Sequence, residues 1–276
     1  MSISVQELGP IEAPLLLCIP GMIGGPDDFR SIIAGLESKF RILLVDINAE
    51  RRQEGLKNLS EASVNAVDYQ GTAKLIQNYL SENHPGKRAN FIGLSIGGKV
   101  VYHFVADFPK LFQGAVITDI TPGKMEHTEL YGTVINTVMG LDLNKDWKEL
   151  KEELNNKIED RNFRILIKSQ LYYPNQSPPA QWRNGMFGLE ELLKRNTTDE
   201  LWNDLEKVTE ILESQKSQMT VIKASRMSGL AEGDVARLKK FPFVKIVPVD
   251  NASHFVHITR VDALQSALMN LLSSRS

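Results

Sequence analysis

The sequence contains very little cysteine, little net charge and no long hydrophobic run, and each shortage excludes a class of protein. Cys18 is the single cysteine among 276 residues, which excludes an internal disulfide and suggests a buried, unreactive thiol in a reducing compartment. The formal net charge is −2, and the lysines and arginines are scattered along the chain. We therefore expect neither a nucleic-acid partner nor an anionic-membrane partner.

Targeting and metal-binding signals are also lacking. Residues 1–20 show no charged segment followed by a cleavage site, and Pro20 interrupts the longest apolar run well short of a membrane-spanning length. Histidine pairs at ligand spacing and cysteine clusters are absent, so no metal or organic cofactor is implied. These features predict a soluble cytoplasmic protein, whose oligomeric state the sequence leaves open.

The chain does contain enough apolar residues, 42%, for one large core or for a core with a substantial insertion. Continuous apolar runs such as Leu15–Ile19 are typical of parallel strands that are buried on both faces. These runs alternate with helical patterns up to about residue 119. The alternation predicts an α/β fold with a doubly wound, mostly parallel sheet.

This alternation stops after residue 119. From residue 121 to about residue 218 we find helical patterns only, and an apolar strand pattern resumes at residues 219–224. The clearest helical pattern has large apolar residues at steps of three and four: Trp147, Leu150, Leu154 and Ile158. We therefore predict three segments: a first core part at residues 1–121, a helical cap at 122–218 and a second core part at 219–276.

The most informative stretch places Ser95 between Gly93 and Gly97, after a short apolar run and before a helical pattern. This G-x-S-x-G arrangement is typical of a nucleophile elbow, in which small neighbours let the strand and the helix approach closely. The serine hydroxyl then lies at a helix N-terminus, where negative charge is stabilised. A simpler alternative is that Ser95 only caps the helix.

A phosphate-binding loop is a second alternative for the same residues. Residues 93–99 read G-x-x-x-x-G-K, and the apolar run that ends at Asp119 resembles a Walker B strand. The next residue, however, is Val100, which has no hydroxyl to bind Mg²⁺. We therefore favour the nucleophile elbow.

Three stretches in this order resemble the α/β-hydrolase superfamily, and within it the small capped serine esterases. The elbow at residues 93–97 is the first. Residues 20–29 resemble the oxyanion loop, and residues 253–257 resemble the catalytic-histidine loop. Two departures stand out, because Pro20 replaces the usual histidine of the oxyanion loop and the loop after Asp46 lacks the usual Arg-Gly-His-Gly turn.

A serine hydroxyl needs a base, and histidine titrates in the useful range. Of the five histidines, His254 aligns with the catalytic histidine of the superfamily, whereas His257 aligns with a frequent non-catalytic one. His84 and His103 are predicted to lie too far from Ser95, and His127 opens the cap region. The resemblance also implies an oxyanion hole formed by the backbone N–H groups of two residues, Met22 and Ile96.

A catalytic triad also needs an acidic residue beside the histidine, and the place of this acid in the sequence is less conventional. In most of the superfamily it follows the strand that corresponds to residues 219–224, but no carboxylate stands directly after that strand. Asp119 ends an earlier strand, in a setting similar to the esterase branch that carries its acid there. We predict Asp119 as the acid. The remaining candidates are Glu232, Asp234 and Asp250, and the simpler alternative for Asp119 is a turn or capping role.

The cap sequence has a high density of large apolar side chains, which could line an acyl pocket or could only pack against each other. The predicted substrate-binding residues are Ile23, Tyr172, Trp182, Met186 and Phe187. The expected activity is hydrolysis of a carboxylic ester or thioester of a small, apolar acyl substrate through an acyl-enzyme. The alternatives are carbon–carbon bond hydrolysis, lactone opening, a lyase step, or ligand binding without hydrolysis.

Overall fold

The computed structural model describes residues 3–21, 24–46, 69–124, 137, 140–173, 177–182 and 199–273. The strands are β1 (Ser4–Leu8), β2 (Leu15–Ile19), β3 (Arg41–Asp46), β4 (Ala89–Leu94), β5 (Phe112–Thr118), β6 (Leu171–Tyr172), β7 (Gln181–Trp182), β8 (Gln218–Arg226) and β9 (Val244–Ser253). The α-helices are α1 (Arg30–Ile33), α2 (Tyr69–Asn83), α3 (Ile96–Asp107), α4 (Trp147–Lys157), α5 (Arg161–Gln170), α6 (Glu200–Ser214), α7 (Glu232–Leu238), α8 (Val256–Thr259) and α9 (Val261–Ser273). None of the helices in these ranges combines the length and the apolar character needed to cross a bilayer.

A seven-stranded sheet in the order β1-β3-β2-β4-β5-β8-β9 forms the centre of the fold. The edge strand β1 pairs with β3 in the antiparallel sense, and every other neighbouring pair is parallel. The predicted doubly wound, mostly parallel sheet is therefore confirmed. Because parallel strands end at the same edge, the segments that follow β2, β4, β5 and β9 meet there.

Both faces of the sheet are buried, which explains the continuous apolar runs in the sequence. Along β2, Leu15, Leu17 and Ile19 join the hydrophobic cluster that also holds residues of α2 and α3. The intervening Leu16 and Cys18 join a second cluster with residues of α1 and α9. Cys18 is fully buried as predicted, and this burial raises the pKa of its thiol.

The segment between β5 and β8 contains the predicted helix α4. Asp146 caps this helix, since its carboxylate accepts hydrogen bonds from the backbone N–H groups of Lys148 and Glu149, and Leu150 and Leu154 are buried. The expectation of helices alone is wrong, however, because β6 and β7 form a two-stranded antiparallel ladder. Two-residue strands are too short to show a period of two in the sequence.

Helix α6 also lies in this segment, but it packs against the core helix α3. Its buried residues Trp202 and Leu205 belong to the same hydrophobic cluster as α3 and its face of the sheet. The helix that precedes β8 thus packs against a helix of the core. The division of the chain at residues 122 and 218 stays a prediction.

Candidate active site

Ser95 stands at the sharp turn between β4 and α3. Its backbone has φ 51° and ψ −121°, a conformation that side-chain-bearing residues rarely adopt and that is often found at functional sites. The backbone N–H of Ser95 donates a hydrogen bond of 3.0 Å to Oγ1 of Thr118, the last residue of β5. The turn is therefore fixed against the neighbouring strand, with the half-buried Ser95 side chain at its tip.

Two glycines make this turn possible. A Cβ atom added to Gly93 would lie 2.7 Å from both the nitrogen and the Cα of Gly98, so strand and helix could not stay this close. A Cβ atom on Gly97 would collide with the carbonyl oxygens of Ile19 and Pro20. The G-x-S-x-G spacing is thus a steric requirement here.

His254 follows β9 directly and is almost fully buried, with 4% of its surface exposed. Its Nε2 atom lies 2.8 Å from Oγ of Ser95, and its Nδ1 atom lies 2.9 Å from Oδ2 of Asp119. The predicted serine, histidine and aspartate are therefore joined in one hydrogen-bonded chain, although Asp119 and His254 are 135 residues apart in sequence.

The carboxylate of Asp119 is completely buried, and each of its oxygens accepts two hydrogen bonds. Oδ1 accepts from the Ala224 N–H at 2.9 Å and from the Ser228 hydroxyl at 2.7 Å, whereas Oδ2 accepts from the Gly229 N–H at 2.8 Å and from His254. A carboxylate that accepts all four bonds requires Nδ1 of His254 to carry its proton. Nε2 is then free to accept the proton of Ser95.

The sequence interpretation missed the partners of this carboxylate. They lie near the end of β8 and in the Met-Ser-Gly loop after it, which contains no carboxylate. The loop instead supplies the Ser228 and Gly229 donors. The only hint was a serine followed by glycine, and this signal is too common to predict a role.

The other candidate acids lie elsewhere. Glu232 is exposed and forms an ion pair of 2.9 Å with Lys223. Asp234 accepts hydrogen bonds from Thr121 and from the backbone N–H of Ala231, and Asp250 is exposed on β9. Among these four carboxylates, only Asp119 accepts a hydrogen bond from His254.

The remaining histidines have other neighbours than Ser95 or lie outside the described residues. His84 pairs with Glu7 at 2.9 Å, His103 stacks on Tyr69, and His127 is outside the described residues. His257 lies in the short helix α8, three residues after His254, and its Nε2 atom is buried without a hydrogen-bond partner among the described residues. Burial, with a smaller contribution from His254, lowers the pKa of His257 to about 4.

Only part of the predicted oxyanion hole can be placed. Ile96 is the first residue of α3, where the backbone N–H has no acceptor within the helix. Met22 and Ile23 lie outside the described residues, but the preceding Gly21 lies near the serine. A Cβ atom on Gly21 would come within 3.7 Å of the Ser95 Cβ.

The predicted pocket residues are described in part. Tyr172 on β6 donates a hydrogen bond of 2.9 Å from its hydroxyl to Oε1 of Gln181, and Trp182 on β7 is buried. Met186 and Phe187 lie outside the described residues. A role for these four side chains toward a substrate stays a prediction.

The geometry of Lys99 also argues against a phosphate-binding loop. Its ammonium group does not point to an open loop but is buried, and it donates hydrogen bonds to the carbonyl oxygens of Pro122 and Gly123. Val100 is buried as well.

Part of the chain is similar in sequence to known proteins. Residues 14–138 match the sequence model of the family described as alpha/beta hydrolase fold. Ethanol acetyltransferase 1 of Wickerhamomyces anomalus is 24% identical over 206 residues, which cover 68% of this chain and 52% of that protein. The chain thus matches about half the length of this curated relative.

Solved structures share the fold over nearly the whole chain. A marine microorganism esterase has a TM-score of 0.74 and 18% identity, with 98% of this chain and 99% of that chain covered. For E-2-(acetamidomethylene)succinate hydrolase the TM-score is 0.71 at 18% identity, covering 98% and 95%. The naproxen esterase of Bacillus subtilis has a TM-score of 0.62 and 17% identity, covering 98% and 87%. The sequence match over residues 14–138 and the shared sheet show that this chain has the alpha/beta hydrolase fold.

Proposed function

We propose that this chain is a serine hydrolase that cleaves a carboxylic ester or thioester through Ser95, His254 and Asp119. The observation that carries the proposal is the continuous hydrogen-bonded chain from Ser95 Oγ through His254 to the buried Asp119 carboxylate. The strained backbone at Ser95 adds to it, since such strain is retained where a reactive group must be presented.

In the first step, Nε2 of His254 takes the Ser95 proton while Oγ attacks the acyl carbonyl. The Asp119 carboxylate stabilises the resulting imidazolium and keeps the proton of Nδ1 in place. The backbone N–H groups of Ile96 and Met22 stabilise the developing oxyanion. The tetrahedral intermediate collapses, His254 donates its proton to the departing alcohol or thiol, and an acyl-serine remains.

In the second step, His254 removes a proton from water, which attacks the acyl-serine and releases the acid. Ser95 regains its proton from His254, so the site returns to its starting state. We propose a small, apolar acyl group, based on the large apolar side chains of the segment that holds Tyr172 and Trp182.

A second candidate is transfer of the acyl group to an alcohol. It is favoured by the similarity to a protein named ethanol acetyltransferase, which is 24% identical to this chain over about half of its own length. An alcohol would replace water as the attacking group in the second step, and the same residues would serve. The product ratio of ester to acid in the presence of ethanol separates the two reactions.

Labelling with a fluorophosphonate, followed by intact-mass and peptide mass spectrometry, tests the proposal. We expect one adduct at Ser95 in the wild type and none in Ser95→Ala, while Ser81→Ala, which removes an exposed serine hydroxyl, is labelled like the wild type. p-Nitrophenyl esters of graded chain length then define the acyl preference. An adduct on another residue, or undiminished ester cleavage by Ser95→Ala, would contradict the proposal.

The other reactions open to the same three residues give different results. A carbon–carbon bond hydrolase, a lactonase or a lyase would be labelled at Ser95 but would leave simple acyl esters intact. A ligand-binding protein without hydrolysis would show neither labelling nor turnover.

A further inference from the structure

Lys99 is a buried cation that the proposed mechanism does not use. It lies one helical turn after Ser95, in α3, with 1% of its surface exposed. Its Nζ atom donates hydrogen bonds to the carbonyl oxygens of Pro122, at 3.4 Å, and Gly123. No carboxylate of the described residues lies within 4.0 Å of Nζ, so backbone carbonyls are its direct partners in the part of the chain that the structure describes.

Burying an ammonium group costs desolvation free energy, which its hydrogen bonds must offset. Burial lowers the pKa of Lys99 to about 7, and the nearby charges of Asp234 and Asp199 only partly oppose this effect. An apolar side chain would fill the same space without that cost. The position of Lys99 therefore points to a benefit other than stability.

The segment that Lys99 holds is the one that carries Asp119. Residues 118–123 are bound to the elbow and α3 at three places. Thr118 accepts from the Ser95 N–H, Ile120 O accepts from the Tyr102 hydroxyl at 3.2 Å, and the Pro122 and Gly123 carbonyls accept from Lys99. Asp119 lies between these contacts, in a left-handed conformation with φ 49°.

We propose that Lys99 is a positioning residue, which acts through the backbone of residues 120–123 to set the distance between Ser95 and Asp119 that His254 must bridge. The inference rests on the proposed function, since the bridge matters for proton transfer. The effect is indirect, because Lys99 touches neither the serine nor the histidine in the described structure.

Thr121 extends the same arrangement to the loop after β8. Its hydroxyl donates to the carboxylate of Asp234, and its Oγ1 atom also accepts a hydrogen bond of 3.0 Å from the Gly123 N–H. Asp234 lies in the first turn of α7, which follows the loop whose Ser228 and Gly229 bind Asp119. Lys99 thus belongs to a contact set that fixes the acid from both sides.

The test compares Lys99→Met with Lys223→Met. Lys223 is a lysine of β8 that forms an ion pair with the exposed Glu232. We expect Lys99→Met to lower kcat by about 10- to 100-fold with KM changed less than twofold, because a small misplacement of catalytic groups has effects of this size. Lys223→Met should keep both constants. A role in stability alone predicts a lower Tm with unchanged kcat, which would overturn the proposal.

A spectroscopic readout makes the test independent of turnover. The Nδ1 proton of His254, held between the ring and Asp119, should give a low-field proton resonance that is lost in Asp119→Asn. Lys99→Met should shift or broaden this resonance, and Lys223→Met should not. If the wild type lacks esterase activity but the resonance still responds to Lys99→Met, the proposed function fails while the positioning role stands.

Tyr102→Phe covers the case in which Lys99→Met does not fold. It removes only the hydroxyl that binds Ile120 O and keeps the ring volume. We expect a smaller loss of kcat, about two- to tenfold, and a shift of the same resonance. If Lys99→Met does not fold and Tyr102→Phe leaves kcat and the resonance unchanged, the positioning role is refuted.

Discussion

Nδ1 of His254 lies 2.9 Å from Oδ2 of Asp119, and both side chains are buried beneath the carboxyl edge of the sheet. The same carboxylate accepts three further hydrogen bonds from the end of β8 and the loop after it. The histidine is thereby held in the tautomer that can accept a proton from serine.

Asp119→Asn should lower kcat by about 10³- to 10⁴-fold with little change in KM, because an amide cannot hold Nδ1 of His254 in its protonated form as the carboxylate does. The amide N–H₂ must also face a donor, since both oxygens accept two hydrogen bonds. We therefore expect a stability loss of about 1–3 kcal/mol as well. Steady-state kinetics and chemical denaturation measure the two effects.

Glu232→Gln and Asp234→Asn are the matched controls for Asp119→Asn, because each removes one carboxylate charge from the first turn of α7. Both variants should retain kcat within about tenfold. Asp234→Asn should have the lower kcat of the two, because the Asp234 carboxylate accepts a hydrogen bond from Thr121. Full activity in Asp119→Asn together with its loss in either control would assign the acid to the later strand.

Gly93→Ala should prevent correct formation of the elbow. The added methyl group would meet the backbone of Gly98 at 2.7 Å, and backbone atoms cannot move aside as a flexible side chain does. We expect a loss of more than about 2 kcal/mol in the free energy of unfolding, along with loss of fluorophosphonate labelling. Thermal and urea denaturation give the stability.

Gly233→Ala is the control for glycine replacement. It lies in α7, where an added Cβ meets nothing within 4 Å, so the helix should gain about 0.5–1 kcal/mol. Equal stability losses in Gly93→Ala and Gly233→Ala would show that the close approach at the elbow is not the cause.

His257→Gln should change how stability depends on pH. The folded pKa of His257 is about 4 and lies below its ordinary value, so the unfolded chain binds more protons between about pH 4 and 6.5. The wild type therefore loses stability through this group as the pH falls across that window, by about 1–3 kcal/mol at its lower end, and His257→Gln should not. Urea denaturation of both proteins at pH 7.5, 6, 5 and 4.5 measures the difference; a constant difference would contradict a neutral, buried His257.

Phe163 and Phe255 should couple the segment between β5 and β8 to the histidine loop. Phe163 on α5 stacks on Phe255 with ring centroids 4.9 Å apart and planes 10° apart, and Phe255 meets the His254 ring edge-on at 5.4 Å. A double-mutant cycle with Phe163→Leu and Phe255→Leu should give a coupling of about 0.5–1.5 kcal/mol in stability.

A catalytic readout extends the same cycle. Phe163→Leu alone should lower kcat by a few-fold, since it loosens the residue next to His254. Phe108→Leu, which removes a ring that packs at a tilt against Phe104 away from this loop, should not lower kcat. Coupling near zero together with an unchanged kcat would mean that the two rings only share a hydrophobic cluster.

The local features of the site were predictable from the sequence. Gly93, Ser95 and Gly97 are close in the chain, and the steric demand of a strand-to-helix turn acts over those few residues. The elbow can therefore be predicted without knowledge of the tertiary structure. His254 was identified by its loop and by its place after a strand. The role of Asp119 could not be predicted from local sequence alone, because it depends on which strand lies between β4 and β8 in the sheet.

The sequence by itself determined the alternation of strands and helices, the serine elbow and the place of the histidine, because these depend on local sterics and on the periodic burial of apolar side chains. Tertiary structure alone decided what surrounds the acid. Ala224, Ser228 and Gly229 donate to a carboxylate more than 100 residues away, and Lys99 binds carbonyls on a neighbouring strand's loop. Such hydrogen bonds leave no pattern in the chain, since every residue has a backbone carbonyl and every residue except proline has a backbone N–H. Only the packing of β5 against β8 and α3 brings these groups within reach.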